Sequence, residues 1–190
     1  MAQRDVTAHR PSGRTYYPPA TRRGEVGEGK SELSAARRSN QRAPGSLLEK
    51  RFFAKMKGIA DTGFIVAFGN RGDSHHPWAV DLARTITEPL LTCEPVLAEA
   101  VFHLGSSAYV LSLVKDEMLR ISFDCNRNLE QLRELARRYH DRKPDLADLC
   151  LVRMSELYPR HTVITVDEND FRVYRRNKRE IIPTLSPPRA

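Results

Sequence analysis

From Gly58 onward the sequence alternates short apolar runs with longer amphipathic stretches, and this rhythm constrains the fold more than any other feature of the chain. A strand buried on both faces reads as a continuous apolar run, and a parallel neighbour can be reached only by a crossover long enough to hold a helix. Repeated βα units therefore point to an α/β fold: a central, mostly parallel sheet of about five strands with helices on its faces. The chain has 190 residues, of which 40% are hydrophobic, enough for the core of one domain and too few for two.

The first strand is the run 58–60, leading into 62–68, and Gly69-Asn70-Arg71-Gly72-Asp73 is a turn signal that ends the segment. Trp78, Leu82 and Ile86 recur every four residues and predict a helix over 76–86, with Pro77 tolerated in its first turn. Leu90-Leu91-Thr92 reads as the second strand, followed by a helix over 93–104 that stops at Gly105 and another over 107–114. Residues 118–123 alternate as a third strand. Leu129, Leu132, Leu135 and Ala136 predict a helix over 126–140 that Asp124 or Asn126 can cap. A further helix is expected over 144–157, with Leu146, Leu149, Cys150 and Leu157 facing inward. The β-branched run 162–166 is short enough for a buried parallel strand, and 171–185 reads as a last strand with basic flanks.

Charge is unevenly spread. The formal net charge is +7; residues 1–57 hold 13 Lys/Arg against 5 Asp/Glu, net +8, and residues 58–190 hold 18 against 19, net −1. Residues 1–57 are rich in Arg, Ser, Gly and Pro, lack an apolar period over most of their length and read as a disordered basic arm. Leu48, Phe52 and Met56 allow one short amphipathic helix over 46–57, and Met56 also stands as an alternative start of translation. No run of 18 apolar residues and no apolar stretch in the first thirty suggests export or membrane insertion, so the chain reads as cytoplasmic. Cys93, Cys125 and Cys150 are widely spaced and odd in number, a pattern of reduced structural thiols rather than of a disulfide framework or a zinc site.

Four carboxylates stand where solvated surface acids do not. Asp61 directly follows a strand inside Ile59-Ala60-Asp61-Thr62-Gly63-Phe64-Ile65-Val66; Glu99 is embedded in Val96-Leu97-Ala98-Glu99-Ala100-Val101; Asp148 lies among Leu146, Ala147, Leu149 and Cys150; Asp167 ends the β-branched run. Each alone also fits a cap or turn residue. Together, in a parallel sheet, strand ends and the helix starts that follow them converge on one edge. Four carboxylates gathered there repel one another, and a divalent cation relieves the repulsion. All-oxygen ligation favours Mg²⁺ or Mn²⁺ over zinc, and the chemistry this combination serves is metal-assisted phosphodiester hydrolysis.

These stretches resemble the PIN-domain family, in particular the toxin nucleases of VapC-like toxin–antitoxin pairs. The resemblance spans 58–183 and rests on Ala60-Asp61-Thr62-Gly63 with the later His75-His76-Pro77-Trp78-Ala79, on Thr92-Cys93-Glu94-Pro95-Val96-Leu97-Ala98-Glu99-Ala100, on Asp145-Leu146-Ala147-Asp148-Leu149-Cys150-Leu151-Val152, and on Thr165-Val166-Asp167-Glu168-Asn169-Asp170-Phe171. It implies a PIN-like three-layer fold, an endoribonuclease needing Mg²⁺ or Mn²⁺, an acidic cluster of Asp61, Glu99, Asp148 and Asp167 with Asp61 and Asp148 foremost as metal ligands, a homodimer, and inhibition by a small antitoxin that inserts into the acidic cleft. Asp145 competes with Asp148 for the third position, and Asp170 shadows Asp167. Thr62 and Thr165 are placed to support the acids by hydrogen bonding. The basic arm has no counterpart in the family.

A negative site needs cations nearby to hold a phosphate backbone. Arg172, Arg175, Arg176, Lys178 and Arg179, interleaved with Phe171 and Tyr174, read either as an RNA grip of phosphate contacts and stacking or as a charge-protected edge. Other readings of the whole are a DNA nuclease of related fold and a non-catalytic module whose acidic pocket holds a partner's arginine. Asp61-Thr62-Gly63 also matches the signature of aspartic proteases, but that fold is all β and this chain is rich in helical periodicity.

Overall fold

A computed structural model describes residues 57–188. The expected basic arm and the short helix over 46–57 lie outside the described residues, apart from Lys57, which opens the first strand.

Five strands form one parallel sheet: β1 (Lys57–Ala60), β2 (Leu90–Thr92), β3 (Leu119–Ile121), β4 (His161–Ile164) and β7 (Thr184–Leu185), in the order β3-β2-β1-β4-β7. Ile59 stands opposite both Leu91 and Val163, and Ala60 pairs with Ile164. The chain thus builds outward from β1 through β2 to β3 and then returns to add β4 and β7 on the other side of β1. With right-handed crossovers, such a reversal puts the two sets of helices on opposite faces and opens a crevice at the carboxyl ends of β1 and β4.

Seven helices occur among the described residues. On one side of the reversal come α1 (Thr62–Gly69), α2 (His76–Thr85), α3 (Glu94–Leu104) and α4 (Ser107–Lys115); α5 (Leu129–Arg138), α6 (Leu146–Leu157) and α7 (Glu168–Val173) follow. The core is one cluster in which Ile59, Phe64, Phe68, Leu90, Val96, Val110, Leu151, Met154 and Ile164 are fully buried; each such side chain stabilises the fold by roughly 1.5–3 kcal/mol. Gly105 ends α3 with a left-handed φ of 67°, as its position after the apolar period suggested.

Several sequence expectations need correction. The apolar stretch after Asp61, to which the sequence assigned no element, is helix α1, capped by Asp61 and burying Phe64, Ile65, Ala67 and Phe68. Helix α5 starts at Leu129 after Asn128, later than 126, since Asp124 and the residues after it form a turn in which Arg127 N–H donates to Asp124 Oδ1. Leu146 and Leu157 of α6 are 51% and 42% exposed instead of facing inward. The segment 171–185 is no single strand. It comprises the end of α7, a hairpin of β5 (Arg175–Arg176) with β6 (Glu180–Ile181), and β7. The hairpin turns at Asn177 and Lys178, both with positive φ, a conformation that asparagine tolerates well. Among the described residues no helix is long and apolar enough to cross a membrane.

Candidate metal centre at the strand ends

Asp61 is placed by the sheet before its side chain is considered. Its backbone N–H continues the β1–β4 ladder by donating to Ile164 O at 3.0 Å, and its carbonyl starts α1 by accepting from Ile65 N–H. The side chain then caps α1: Oδ1 accepts from Thr62 N–H at 2.6 Å, while Oδ2 accepts from the Thr165 hydroxyl at 2.8 Å. Thr165 is fully buried just past β4 and has a second task, accepting from Asp167 N–H at 3.1 Å. One hydroxyl thereby fixes Asp61 to the segment that leads into Asp167. Asp167 itself caps α7, accepting from Asn169 N–H.

Gly63 makes this closeness possible. A Cβ there would lie 2.5 Å from Val166 Cγ2, so any larger residue would push α1 away from the β4–α7 connection. On the other side, the Thr62 hydroxyl donates to Glu99 Oε2 at 2.8 Å and ties α1 to α3. Glu99, Thr62, Asp61, Thr165 and Asp167 form a continuous hydrogen-bonded row along the carboxyl edge of the sheet.

Helix α6 brings the other two acids. Asp145 is its N-cap and accepts from Asp148 N–H at 2.8 Å; Asp148 accepts from the Tyr174 hydroxyl at 3.4 Å, a long contact. Burial first, then the negative charges of Glu99 and Asp145, push the Asp61 carboxyl up against the opposing bonds from Thr165 and Thr62, to about 6. Asp145, at the α6 cap, is one of the charges that Asp61 feels. The Asp170 side chain lies outside the described residues.

The row is built of strong acceptors. Among the described residues no group of three or more His, Cys, Asp or Glu side chains is arranged to hold a metal ion on its own. Mg²⁺ does not require one: it keeps several waters and commonly takes one or two carboxylates together with substrate phosphates. The donor set is all oxygen, and Asp61, strained by burial and by two like charges, is the group that a cation would relieve most.

Beside the row, at the same strand-end edge, an open cleft of about 590 Å³ is lined by Glu94, Pro95 and Ala98 of α3, Phe123 and Cys125 after β3, and Leu146 of α6.

The basic segment does not look as its interleaving suggested. Phe171 and Tyr174 are buried and pack edge to face, so they serve the core and offer no stacking platform. Their three-residue spacing was the signal of a helix face. Arg172 pairs with Glu168, Arg176 with Glu180 and Lys178 with Glu134; Arg175 donates to the carbonyls of Arg172 and Tyr174. Sequence reasoning missed the Tyr174 bond to Asp148, for which spacing gave no cue, and the meeting of the three cysteines described below. No protein-family model matches the chain, and no curated protein matches it.

Proposed function

We propose that this chain is a Mg²⁺- or Mn²⁺-dependent endoribonuclease of PIN-domain type, the toxin of a VapC-like toxin–antitoxin pair acting in the cytoplasm. The observation that carries the reading is the state of Asp61: half-buried at the switch point of a parallel sheet, held by two donors, and facing the charges of Glu99 and Asp145. A carboxylate kept in that environment is a recognised mark of a working site.

In this reading Asp61 and Asp145 or Asp148 hold the cation, with Glu99 and Asp167 completing the acidic edge. The bound cation supplies charge neutralisation at the phosphate and an activated water. Thr165 and Thr62 keep Asp61 and Glu99 oriented. Arg172 and Lys178 are exposed and their ion pairs are surface pairs worth about 0–1 kcal/mol, so exchanging those partners for RNA phosphates costs little. Arg175 and Arg176 are half-buried and bound to backbone and Glu180, which leaves them a supporting part in RNA binding. A homodimer and an antitoxin seated in the cleft belong to the same reading.

The test is cleavage of a mixed RNA pool by purified protein with Mg²⁺, with Mn²⁺, with EDTA, and after Asp61→Asn. Cleavage that needs the cation and vanishes with Asp61→Asn supports the reading. Cleavage that survives EDTA or the substitution overturns it, and no cleavage of RNA turns attention to DNA or to a non-catalytic binding module.

A further inference from the structure

The three cysteines, far apart in sequence, meet beside the cleft. Cys93 precedes α3, Cys150 lies in α6, and Cys125 sits in the turn between β3 and α5. All three are free thiols; Cys93 and Cys150 are fully buried, while Cys125 is half-buried and lines the cleft. Cys125 Sγ and Cys150 Sγ are 3.6 Å apart. We infer that Cys125 and Cys150 form a peroxide-sensitive thiol pair that closes to an intramolecular disulfide and reshapes the cleft.

The roles follow from exposure. Only Cys125 is reachable from the cleft, so its thiolate is the group that meets a hydroperoxide. Its sulfur attacks the peroxide oxygen, the O–O bond breaks, the departing oxygen leaves as alcohol or water after taking a proton, and the sulfur, oxidised by two electrons, becomes a sulfenic acid. Cys150 then attacks that sulfur. The S–S bond forms, the S–O bond breaks, and the hydroxide leaves as water with the Cys150 proton. Two thiols and one hydroperoxide give one disulfide, one alcohol or water, and one water. Cys150 does not compete for the peroxide: it is sealed from solvent, and the neighbouring Cys93 thiol first, then burial and Cys125, push its thiol up, so its reaction waits for an electrophilic sulfur 3.6 Å away.

Closing the bond needs the sulfurs to approach by roughly 1.5 Å, from 3.6 Å to a disulfide length. Cys150 is fixed within α6, so the turn carrying Cys125 moves toward it. That turn is held by Asn128 Nδ2 on Asp124 O, by Asn128 N–H on Cys125 O at 3.2 Å and by Arg153 Nε on Asn128 Oδ1, so the Cys125 side chain moves by rotating about its own Cα–Cβ bond and by a small shift of the turn as a unit. The same helix carries Asp145 and Asp148, and Leu146 shares the cleft wall with Cys125. Oxidation therefore pulls one wall of the cleft onto the helix that bears Asp145 and Asp148.

The experiment treats the full chain, reduced and freed of reductant, with a few equivalents of hydrogen peroxide and maps the peptides without reduction. The expected result is a Cys125–Cys150 peptide pair, an intact mass lower by two hydrogens, and full reversal by dithiothreitol. Cys93→Ala should still form the bond; Cys150→Ala should stop at a Cys125 sulfenic acid trapped by dimedone. Because a buried substitution at 150 can unfold the chain, Cys125→Ser, at the half-buried position, is the second variant and should abolish the bond while leaving Cys150 unoxidised. Formation of a Cys93–Cys150 bond, of disulfide-linked dimers only, or of a Cys125 sulfinic acid with no disulfide overturns the proposal. None of these readouts depends on nuclease activity.

Discussion

The Thr165 hydroxyl donates to Asp61 Oδ2 at 2.8 Å across 104 residues of chain, and the same oxygen accepts from Asp167 N–H. A fully buried threonine at the end of β4 thus does what packing cannot: it sets the rotamer of one acid and the backbone of the segment entering another. In metal sites generally, losing a supporting bond of this kind costs roughly 10–100-fold in affinity or activity.

Thr165→Val tests that link while preserving shape. Asp61 loses a donor that steadies its charge and Asp167 N–H loses its acceptor, so the variant should be less stable by about 1–3 kcal/mol at pH 8. If the nuclease reading holds, RNA cleavage should fall by roughly 10–100-fold. Thr165→Ser, which keeps the hydroxyl, should recover most of the activity. Urea unfolding and cleavage rates measure both, and a fully active valine variant would remove Thr165 from the site.

The raised carboxyl of Asp61 makes a prediction with a definite sign. Folded, it titrates near 6; its ordinary value is 3.8. Between those values the folded chain binds more protons than the unfolded one, so stability from this group is fully present below about pH 4 and is lost as pH rises through about 6. Two pKa units amount to about 3 kcal/mol, and solvent reaching this half-buried group reduces the figure. Asp61→Asn should therefore be more stable than the parent at pH 8, by about 1–2 kcal/mol, and show no such gain at pH 4. Urea midpoints at the two pH values give the comparison. Added Mg²⁺ should narrow the gap at pH 8 by stabilising only the parent.

Much of this edge could be read before any coordinates. Leu90-Leu91-Thr92 is a strand because an apolar run between Pro89 and a Glu-Pro helix start leaves no other option; Asp61 and Glu99 stood out because charge among apolar neighbours must be compensated, and Asp167 because it ends a β-branched run. What stayed hidden depended on distance or on competition. Residues 62–69 carry apolar side chains on every side, so no period separates helix from strand, and only the Asp61 cap decides it. Asp145 against Asp148 could not be resolved by spacing, because both stand at one helix start and only the fold shows that the Asp145 charge reaches Asp61. The meeting of Cys93, Cys125 and Cys150 joins three elements by tertiary packing and leaves no local trace.

Asp145 and Asp148 can be separated by experiment. Asparagine caps a helix about as well as aspartate, so Asp145→Asn keeps the bond from Asp148 N–H and should change stability by only a few tenths of a kcal/mol from the cap itself. It removes a charge that Asp61 feels, so the Asp61 carboxyl should titrate lower than about 6 and the pH dependence of stability should weaken. Asp148→Asn should move that titration less. Carboxyl carbon NMR of Asp61 in both variants reads the difference directly; equal shifts in the two would show that spacing along α6 does not matter to Asp61.

Gly63 and Val166 form the tightest approach at the site. A Cβ on residue 63 would meet Val166 Cγ2 at 2.5 Å, while Val166 Cβ and N stand 3.6 Å away, at ordinary contact distance. Gly63→Ala alone should therefore destabilise by about 1–3 kcal/mol, as overpacking does. Removing the obstructing methyls with Val166→Ala leaves room for the new one. The double variant should then be more stable than the sum of the single changes predicts, with a coupling of about 1–2 kcal/mol in a double-mutant cycle followed by urea unfolding. Additive behaviour would mean that α1 shifts as a body instead of clashing, and then Gly63 is not what seats Asp61 against the β4–α7 segment.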